Sequence, residues 1–426
     1  MELDLVLREL GLEEGWDAIA PGWEESLASL PKDGLFFLEG PFLREACAYL
    51  GLPEGVAEQT LRAAACVRRS RALEALLRHA SRRHFQDDPG IRAWPMPRAA
   101  LGEDAGLFPF LALLSKYPVM RSVHEAHRVP TEVVEETLSD FPFYFERYLK
   151  DHGVYGLNLY DAAGWLRYHV QGTIYQIGRL QYLERRLPPG RIVFRHEKTR
   201  RVAALAQGEL TFRADGQRQG ASGIVDEAGA WTSKLSLSDT EACGHPVDPA
   251  TGAALREAVV LKRAAWREAL RPGDPGLDIH IPARGAFDVE ACADSTERAA
   301  AFFAGHFPET PPAKAFFCTS WLLDAQLEEY LVPDSNLVRF LREFYLYPVA
   351  QDPWGIFRFV FELEIPYGWK GPVDLSKLEA RTALQRAVLD HVRSGRLWRQ
   401  TGGFRLVDDL PWGSAPYRRR ARPWEA

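Results

Sequence analysis

The 426-residue sequence predicts an α+β protein, in which an N-terminal helical domain precedes a mixed, mostly antiparallel sheet flanked by helices. Three observations lead to this fold class. Apolar residues recur at helical spacing through about the first 150 residues, where no segment alternates as a strand does. From about residue 155 the apolar period changes to two, with turn residues between short runs. Segment 277–324 has the pattern of a strand, a crossover helix and a second strand, which is how a parallel pair is connected.

The N-terminal part contains predicted helices in succession. Leucines at helical spacing occupy 5–12, a run rich in small residues extends over 56–80, and an aromatic cluster covers 141–145. Pro130 followed by acidic residues is typical of a helix start, because proline fits the first turn and carboxylates favour the positive end of the helix dipole. We therefore expect a helical domain over 1–154.

The second part contains predicted strands separated by turn signals. Short strands are expected at 173–183, 191–195, 209–213, 231–238, 344–349, 356–364 and 401–408. Further helices are expected at about 251–270 and 375–393. A polar turn at 351–355 separates two of the strands and predicts a hairpin. These elements define a sheet domain over 155–365 and a helical C-terminal appendage over 366–426.

Composition excludes several functional classes. The net charge of −6 argues against nucleic-acid binding, which needs a basic face. No run of about eighteen apolar residues occurs. The N-terminus lacks the basic then apolar order of a secretory signal, so we expect neither a membrane partner nor export. Five widely spread cysteines do not form a disulfide framework, and a cytoplasmic, reduced protein is therefore expected.

Histidines occur in two short clusters that could suggest a metal site, His124-Glu125-Ala126-His127 and Cys243-Gly244-His245. Neither cluster supplies the three or four convergent ligands that a metal ion needs. The first cluster also lacks the i, i+4 histidine spacing of zinc metalloproteases. We therefore expect no metal site.

The first strand of segment 277–324 presents a candidate general base. Leu277 and Ile279 alternate with Asp278 and His280, so the carboxylate and the imidazole project from one face of the strand. A neutral imidazole there could take a proton from an amine or hydroxyl as it attacks a thioester, and Asp278 could orient the ring. The alternative is a histidine that is hydrogen-bonded within a half-buried sheet.

The second strand of the segment presents Cys318 and Ser320 on one face. If the two strands pair, we expect that face to lie beside His280, with a thiol or a hydroxyl within reach of the imidazole. A Cys–His pair would favour covalent acyl transfer, whereas Ser320 would protonate a leaving thiolate. The alternative is that Cys318 is a small core residue, as buried cysteines commonly are.

Several strings of this sequence occur in the order found in a known protein family. They are Ile177-Gly178-Arg179-Leu180-Gln181, Asp278-Ile279-His280-Ile281-Pro282, Cys292 with Ser295, Phe302-Phe303 with Phe307-Pro308, Phe317-Cys318-Thr319-Ser320-Trp321-Leu322-Leu323, and Ser335-Asn336. With these strings the chain resembles a bacterial family of GNAT-like acyltransferases that has an N-terminal helical N-acyltransferase-type domain and a GNAT-like C-terminal domain. The resemblance covers most of the chain.

The resemblance implies a GNAT-like sheet in which acyl-coenzyme A lies between two splayed parallel strands, here those that end at Pro282 and Leu323. It also implies that backbone amides at the following helix start hold the pyrophosphate. The cofactor-binding residues implied are Ala283, Arg284 and Gly285, and the acceptor-binding residues implied are Arg179, Gln181 and Asp278. Arg179 could hold an acidic group bidentately.

The expected function is transfer of an acyl group from acyl-coenzyme A to an amine or hydroxyl of a small-molecule acceptor, without a metal. His280 would be the general base, and Cys318 or Ser320 would be the leaving-group acid. The usual glycine-rich pyrophosphate signature is absent after the first splayed strand, where Pro282 stands and Gly285 is the one glycine before the helix. This leaves, as an alternative, a non-catalytic ligand-binding or regulatory module with a GNAT-like fold.

Overall fold

The computed structural model describes residues 1–86, 89–351, 354–363, 365, 373–418 and 424. By their internal packing the residues separate into a helical unit, Met1–Gln176, and a sheet unit, Ile177–Ala426. The domain boundaries expected after residues 154 and 365 stay predictions. Within the described ranges no helix is long and apolar enough to cross a membrane.

The helical unit contains helices and irregular connections, as the sequence predicted. Its helices are α1 (Leu3–Leu10), α2 (Trp16–Ile19), α3 (Trp23–Ala28), α4 (Gly40–Tyr49), α5 (Glu54–Arg69), α6 (Arg71–Arg83), α7 (Arg98–Leu101), α8 (Phe108–Leu114), α9 (Tyr117–Ala126), α10 (Thr131–Leu138), α11 (Asp140–His152), α12 (Leu159–Asp161) and α13 (Arg167–Val170). They enclose one apolar core, in which the rings of Phe110 and Phe145 meet edge to face with centroids 5.0 Å apart.

Helix α6 shows how the sequence sets a helix boundary in this unit. Ser70 interrupts the predicted run over 56–80, because its hydroxyl accepts a hydrogen bond from the Leu73 amide at 3.2 Å and caps a new helix. The run therefore forms two helices, α5 and α6. Most of α6 is buried, whereas Arg78 and Arg82 near its C-terminal end are only partly buried.

In the residues that the structure describes, the sheet unit contains most of the strands and four further helices. The strands are β1 (Ile174–Ile177), β2 (Leu180–Arg186), β3 (Arg191–His196), β4 (Val202–Ala206), β5 (Thr211–Phe212), β6 (Trp231–Thr232), β7 (Leu235–Leu237), β8 (Glu241–Gly244), β9 (Pro246–Val247), β10 (Val259–Lys262), β11 (Trp266–Leu270), β12 (Pro275–His280), β13 (Ala315–Ser320), β14 (Tyr345–Pro348) and β15 (Thr401–Leu406). The helices are α14 (Val289–His306), α15 (Asn336–Arg342), α16 (Gly355–Val360) and α17 (Ala383–Arg393).

The largest sheet has the strand order β1-β2-β12-β13-β15-β14. β12 and β13 run parallel, with α14 as the crossover between them, whereas the pairs β2–β12, β13–β15 and β14–β15 are antiparallel. The predicted strand–helix–strand segment and the mixed, mostly antiparallel sheet are therefore confirmed. The remaining strands form smaller antiparallel sheets in the orders β11-β3-β4-β9, β10-β8-β7 and β5-β6.

The two faces of the six-stranded sheet pack against different partners. On one face, which we call the α14 face, the Ser295 hydroxyl of α14 lies 2.8 Å from the Tyr182 hydroxyl of β2. On the opposite face, Phe317 and Phe404 share a core with Val193 and Val202 of the four-stranded sheet. This apolar contact holds the two sheets together where β12 and β13 begin.

The helix expected over 251–270 is wrong, because this segment forms β10 and β11. Leu261 is buried between the more exposed Val260 and Lys262, which is the period of a strand. β10 pairs with β8, and β11 pairs with β3. Pairing with existing strands outweighs the helix propensity of the Lys, Arg, Ala and Glu residues in this segment.

The strand expected over 356–364 is also wrong, because its first part is helix α16. Ile356 and Phe357 are buried in a cluster with Val388 and Leu389 of α17. Burial of neighbouring residues on one side, with Phe359 exposed, suits a helix packed on a helix and not an alternating strand. Residue 364, and residues 352 and 353 of the expected turn, lie outside the described residues.

Candidate functional site

The parallel strands β12 and β13 are paired only where they begin. The paired positions are Gly276 with Ala315, Leu277 with Phe316, and Asp278 with Phe317. The ladder stops there, although β12 continues to His280 and β13 continues to Ser320. Each strand stays paired with its outer neighbour to its end, β12 with β2 and β13 with β15. The sheet therefore contains an opening between two neighbouring strands.

His280 lies at this opening, on the face opposite α14. Its Nε2 is 3.4 Å from Oδ2 of Asp278, and the same carboxylate oxygen is 3.3 Å from Nε of Arg185. Gln181 is directly opposite His280 on β2, so its side chain projects from the same face. The His280 side chain is 31% exposed, whereas its Nε2, which faces Asp278, is buried. The predicted neighbours Asp278, Gln181 and His280 are thus together.

The expectation that Cys318 and Ser320 lie beside His280 is wrong. Asp278 is level with Phe317, and directly opposed residues project from the same face of a sheet. His280 therefore shares its face with Phe317 and Thr319, whereas Cys318 and Ser320 project from the α14 face. A shift of one residue in register would exchange the faces from which these side chains project. The local sequence pattern does not determine the register.

The surroundings of Cys318 oppose a nucleophilic role. The side chain is 1% exposed, and burial is the main cause that raises the pKa of its thiol far above the ordinary value. The thiol therefore stays protonated at neutral pH, and the thiolate is the reactive form. The Ser320 hydroxyl accepts a hydrogen bond from the Leu322 amide at 3.1 Å and caps the short turn that follows β13.

The loop between β12 and α14 presents backbone amides that have no partner among the described residues. The N–H groups of Ala283, Gly285, Ala286, Phe287 and Asp288 donate no hydrogen bond to any described residue. Gly285 has a φ of +77°, the left-handed region that favours glycine. A methyl group built on Gly285 would meet no atom within 4 Å, so the space around this residue is open.

Two side chains hold the carbonyl groups of this loop. The Nε of Arg179 donates to the Ala286 carbonyl at 2.9 Å, and the Nδ2 of Asn336 donates to the Phe287 carbonyl at 2.7 Å. In a trans peptide the C=O and the N–H point in opposite directions. The N–H groups of Phe287 and Asp288 therefore point away from Arg179 and Asn336, and their direction is fixed.

This arrangement gives Arg179 a contact that the sequence did not predict. Its guanidinium also lies over the ring of Phe287, with 5.5 Å between the guanidinium carbon and the ring centroid. Burial is the largest influence on this group and lowers the pKa of Arg179. Arg179 thus supports the loop after β12, and its contact with an acceptor stays a prediction.

The start of α14 carries a negative charge. The Asp288 carboxylate accepts a hydrogen bond from the Ala291 amide at 2.9 Å and caps the helix. A carboxylate at this position is favourable for the helix, because it faces the positive end of the helix dipole. The same carboxylate repels a phosphate that approaches the helix start.

Sequence reasoning missed two residues of this region as candidates. Thr319 is exposed and shares the face of His280, and its hydroxyl has no hydrogen-bond partner among the described residues. Asn336 was part of a recognised string, but its contact with the loop depends on tertiary packing. Thr319 follows Cys318 along the strand and therefore projects from the opposite face. This makes Thr319 a candidate only once the register of the two strands is known.

The described residues contain no group of three or more histidine, cysteine and acidic side chains that could hold a metal ion. His124 of the first histidine cluster is buried, and its Nδ1 lies 2.9 Å from the Tyr49 hydroxyl. Burial is the main cause that lowers the pKa of His124 to about 4. A neutral core histidine accounts for this position.

Comparison with known proteins gives two family matches. Residues 174–405, more than half of the chain, match the GNAT-like C-terminal domain, and residues 41–172 match the N-acyltransferase N-terminal domain. No curated protein sequence matches the chain.

Solved structures similar to the chain are acyltransferases. Crystal structures of an acyltransferase with CoA and 10C-teicoplanin, and of an acyltransferase with decanoyl-CoA and teicoplanin, are each 25% identical with a TM-score of 0.61. Each match covers 96% of this chain and 100% of the other. An acyltransferase mutant with octanoyl-CoA is 25% identical with a TM-score of 0.61, over 95% of this chain and 99% of the other.

Proposed function

Because the chain belongs to the family of proteins with a GNAT-like C-terminal domain, we propose that it transfers an acyl group from acyl-coenzyme A to an amine or hydroxyl of a small molecule. The observation that supports this most directly is the opening between β12 and β13 beyond Asp278 and Phe317, with His280 beside it. An opening of this kind offers unpaired backbone edges to an extended ligand.

The loop after β12 supports the use of acyl-coenzyme A as the donor. Unpaired N–H groups at Gly285, Ala286 and Phe287 supply donors for the oxygens of a pyrophosphate, and the open space at Gly285 allows close approach. The similar acyltransferases contain CoA, octanoyl-CoA or decanoyl-CoA. This chain thus has backbone groups suited to the pyrophosphate without the usual glycine-rich signature.

The proposed reaction is direct attack on the thioester. The acceptor nitrogen or oxygen forms a bond with the acyl carbon and gives its proton to the imidazole of His280. The Asp278 carboxylate, 3.4 Å from the ring, stabilises the imidazolium that results. The carbon–sulfur bond then breaks, the electron pair leaves on sulfur, and the coenzyme A thiolate takes up the proton that the imidazolium of His280 gives back. Thr319, on the same face as His280, replaces Cys318 and Ser320 as the hydroxyl proposed to serve the leaving thiolate.

The proposed acceptor is a small molecule that carries an amine or a hydroxyl. The Asp278 carboxylate beside His280 is partly exposed, so this face offers carboxylate oxygens to an N–H donor. Two of the similar acyltransferases are bound to teicoplanin or 10C-teicoplanin.

A second candidate function is a non-catalytic ligand-binding or regulatory module. The Asp288 carboxylate at the start of α14 favours it, because a negative charge there weakens pyrophosphate binding. Such a module would keep the fold and the opening between the strands but would not catalyse acyl transfer.

The test combines calorimetric titration of the full chain with CoA and decanoyl-CoA and a free-thiol assay with amine and hydroxyl acceptors. For a transferase we expect both ligands to bind and thiol to be released only with an acceptor. His280→Ala should bind decanoyl-CoA as the wild type does and lose roughly 10²- to 10⁴-fold in turnover. His196→Ala, which changes a histidine on β3, is the matched control. It should bind decanoyl-CoA and turn over as the wild type does.

The outcomes separate the two candidates. Binding of decanoyl-CoA without thiol release for any acceptor in the panel would support the module. Absence of binding for both CoA and decanoyl-CoA would refute the proposed donor. Equal loss of turnover in His280→Ala and His196→Ala would refute the role of His280.

A further inference from the structure

A cavity of about 310 Å³ lies in the helical unit, apart from the groups that the proposed reaction uses. Arg78 and Arg82 of α6 line it, together with Lys116. Phe36 and Phe85 contribute apolar surface. With Phe37, which also lines it, the cavity combines three cations with three aromatic rings.

The three cations have no counter-ion within the described part of the chain. Arg78, Arg82 and Lys116 are partly buried, yet none of them forms an ion pair with a carboxylate. Other basic residues of the same unit are paired, namely Arg62 with Asp104, Arg71 with Glu74, and Arg121 with Glu45 and Glu125. The chain as a whole carries a net charge of −6, so this concentration of positive charge is local.

Arg78 and Arg82 are held close together by a single hydroxyl. Nε of Arg78 and Nη1 of Arg82 each lie 3.2 Å from the Ser29 oxygen, which accepts from both. The two arginines are one helical turn apart, where like charges repel each other. Burial and the charge of Arg82 both lower the pKa of Arg78. An anion between the two guanidinium groups would remove this repulsion.

Lys116 lies between the end of α8, where the helix dipole favours a cation, and the start of α9, where it does not. It is the residue that precedes α9, where the positive end of the helix dipole repels a positive charge and attracts a negative one. Its Nζ lies 5.5 Å from the centroid of the Phe85 ring. Basic residues at the end of α6 are likewise favourable for that helix.

We propose that this cavity binds a small molecule with a phosphate group on an aromatic or apolar body. The phosphate lies among Arg78, Arg82 and Lys116, where two guanidinium groups offer paired N–H donors to its oxygens. The body packs on Phe36, which is 55% exposed, a large fraction for a phenylalanine. This site is additional to the proposed acyl transfer and does not depend on it.

The test uses calorimetric titration of the full chain with phenyl phosphate and with inorganic phosphate. We expect saturable binding of both probes, with phenyl phosphate the tighter because its ring packs on Phe36. Arg82→Gln should weaken both probes by about tenfold, the usual effect of losing a charge-assisted hydrogen bond. Phe36→Ala should weaken phenyl phosphate and leave inorganic phosphate unchanged.

Arg69→Gln, which changes an exposed arginine at the end of α5, is the matched control and should bind both probes as the wild type does. A thermal melt of each variant verifies that it is folded. Absence of saturable binding to the wild type would overturn the proposal. Phosphate binding that is insensitive to Arg82→Gln would also overturn it, since the phosphate would then lie at another site.

Discussion

At the scale of single residues, the imidazole of His280 and the thiol of Cys318 differ in their exposure to solvent, because they project from opposite faces of the same sheet. His280 is partly exposed, and its Nε2 lies 3.4 Å from the Asp278 carboxylate. Cys318 is enclosed beneath α14, where burial disfavours the charged thiolate. Chemistry is therefore assigned to the open face.

We predict that Cys318→Ala keeps the acyl-transfer rate close to that of the wild type. The thiol is buried and protonated, so its removal leaves the reacting groups in place. The measurement is the initial rate of thiol release with decanoyl-CoA and the best acceptor of the panel. Iodoacetamide at pH 8 should also leave Cys318 unlabelled in the folded protein, as shown by mass spectrometry of its peptide. Labelling of Cys318 together with loss of activity would restore it as a candidate nucleophile.

At the scale of elements, the loop between β12 and α14 is held from two sides, by the hairpin that carries Arg179 and by the first residue of α15, Asn336. Both contacts are to carbonyl groups. The amides of the loop are therefore oriented before any ligand binds, which lowers the entropy lost on binding.

We predict that Asn336→Ala weakens CoA binding severalfold, because the Phe287 peptide is no longer held. The lost hydrogen bond should also lower the free energy of unfolding by about 1 kcal/mol. Ser335→Ala is a close control, since it removes the cap of α15 and costs a similar ~1 kcal/mol without touching the loop. Calorimetry should show weaker CoA binding for Asn336→Ala alone. A similar loss in both variants would mean that the effect comes from stability.

We predict that Asp288→Asn strengthens CoA binding. Asparagine caps a helix about as well as aspartate, so α14 keeps its start while the charge that repels phosphate disappears. The gain in affinity should be largest at low ionic strength, because salt screens the repulsion. Titration at two salt concentrations measures this difference. An affinity that falls in Asp288→Asn would indicate that the carboxylate contacts the ligand favourably.

At the scale of the whole molecule, buried neutral histidines link stability of the helical unit to pH. Burial is the largest cause that lowers the pKa of His79 to about 4 and of His84 to about 3, from an ordinary value of 6.5. Between pH 6.5 and the lowered pKa of each histidine, the unfolded chain binds a proton at that histidine and the folded chain does not. Stability is therefore complete above pH 6.5 and falls as the pH drops towards 4.

We predict that the midpoint of thermal unfolding falls steadily from pH 7 to pH 4.5. Between its lowered pKa and its ordinary pKa, each such histidine changes the free energy of unfolding by about 1.4 kcal/mol per pH unit. Neither ring nitrogen of His84 has a hydrogen-bond partner among the described residues, so His84→Leu should fold and should show a flatter pH dependence. Thermal melts by circular dichroism of the wild type and of His84→Leu measure this. Identical pH profiles for the two proteins would contradict the role given to His84.

The sequence predicted the parts of this molecule that depend on local period. The helical first half, the strands at 191–195 and 401–408, and the parallel pair within 277–324 all follow from the spacing of apolar residues. It could not predict that 251–270 forms strands, because partners distant in sequence decide that segment. Nor could it predict the face on which Cys318 lies, since register depends on pairing and not on composition.

The stop in the β12–β13 ladder affects how quickly the centre of the sheet exchanges its hydrogens. Amides in the middle of a sheet are normally among the slowest to exchange with deuterium, because they open only with the whole domain. The strands on both sides of the opening remain paired with β2 and β15, which should protect their outward-facing amides. The inward-facing amides beyond Asp278 and Phe317 lie outside the β12–β13 ladder. Fast and slow exchange should therefore alternate along these two strands, and a bound donor should slow the fast set.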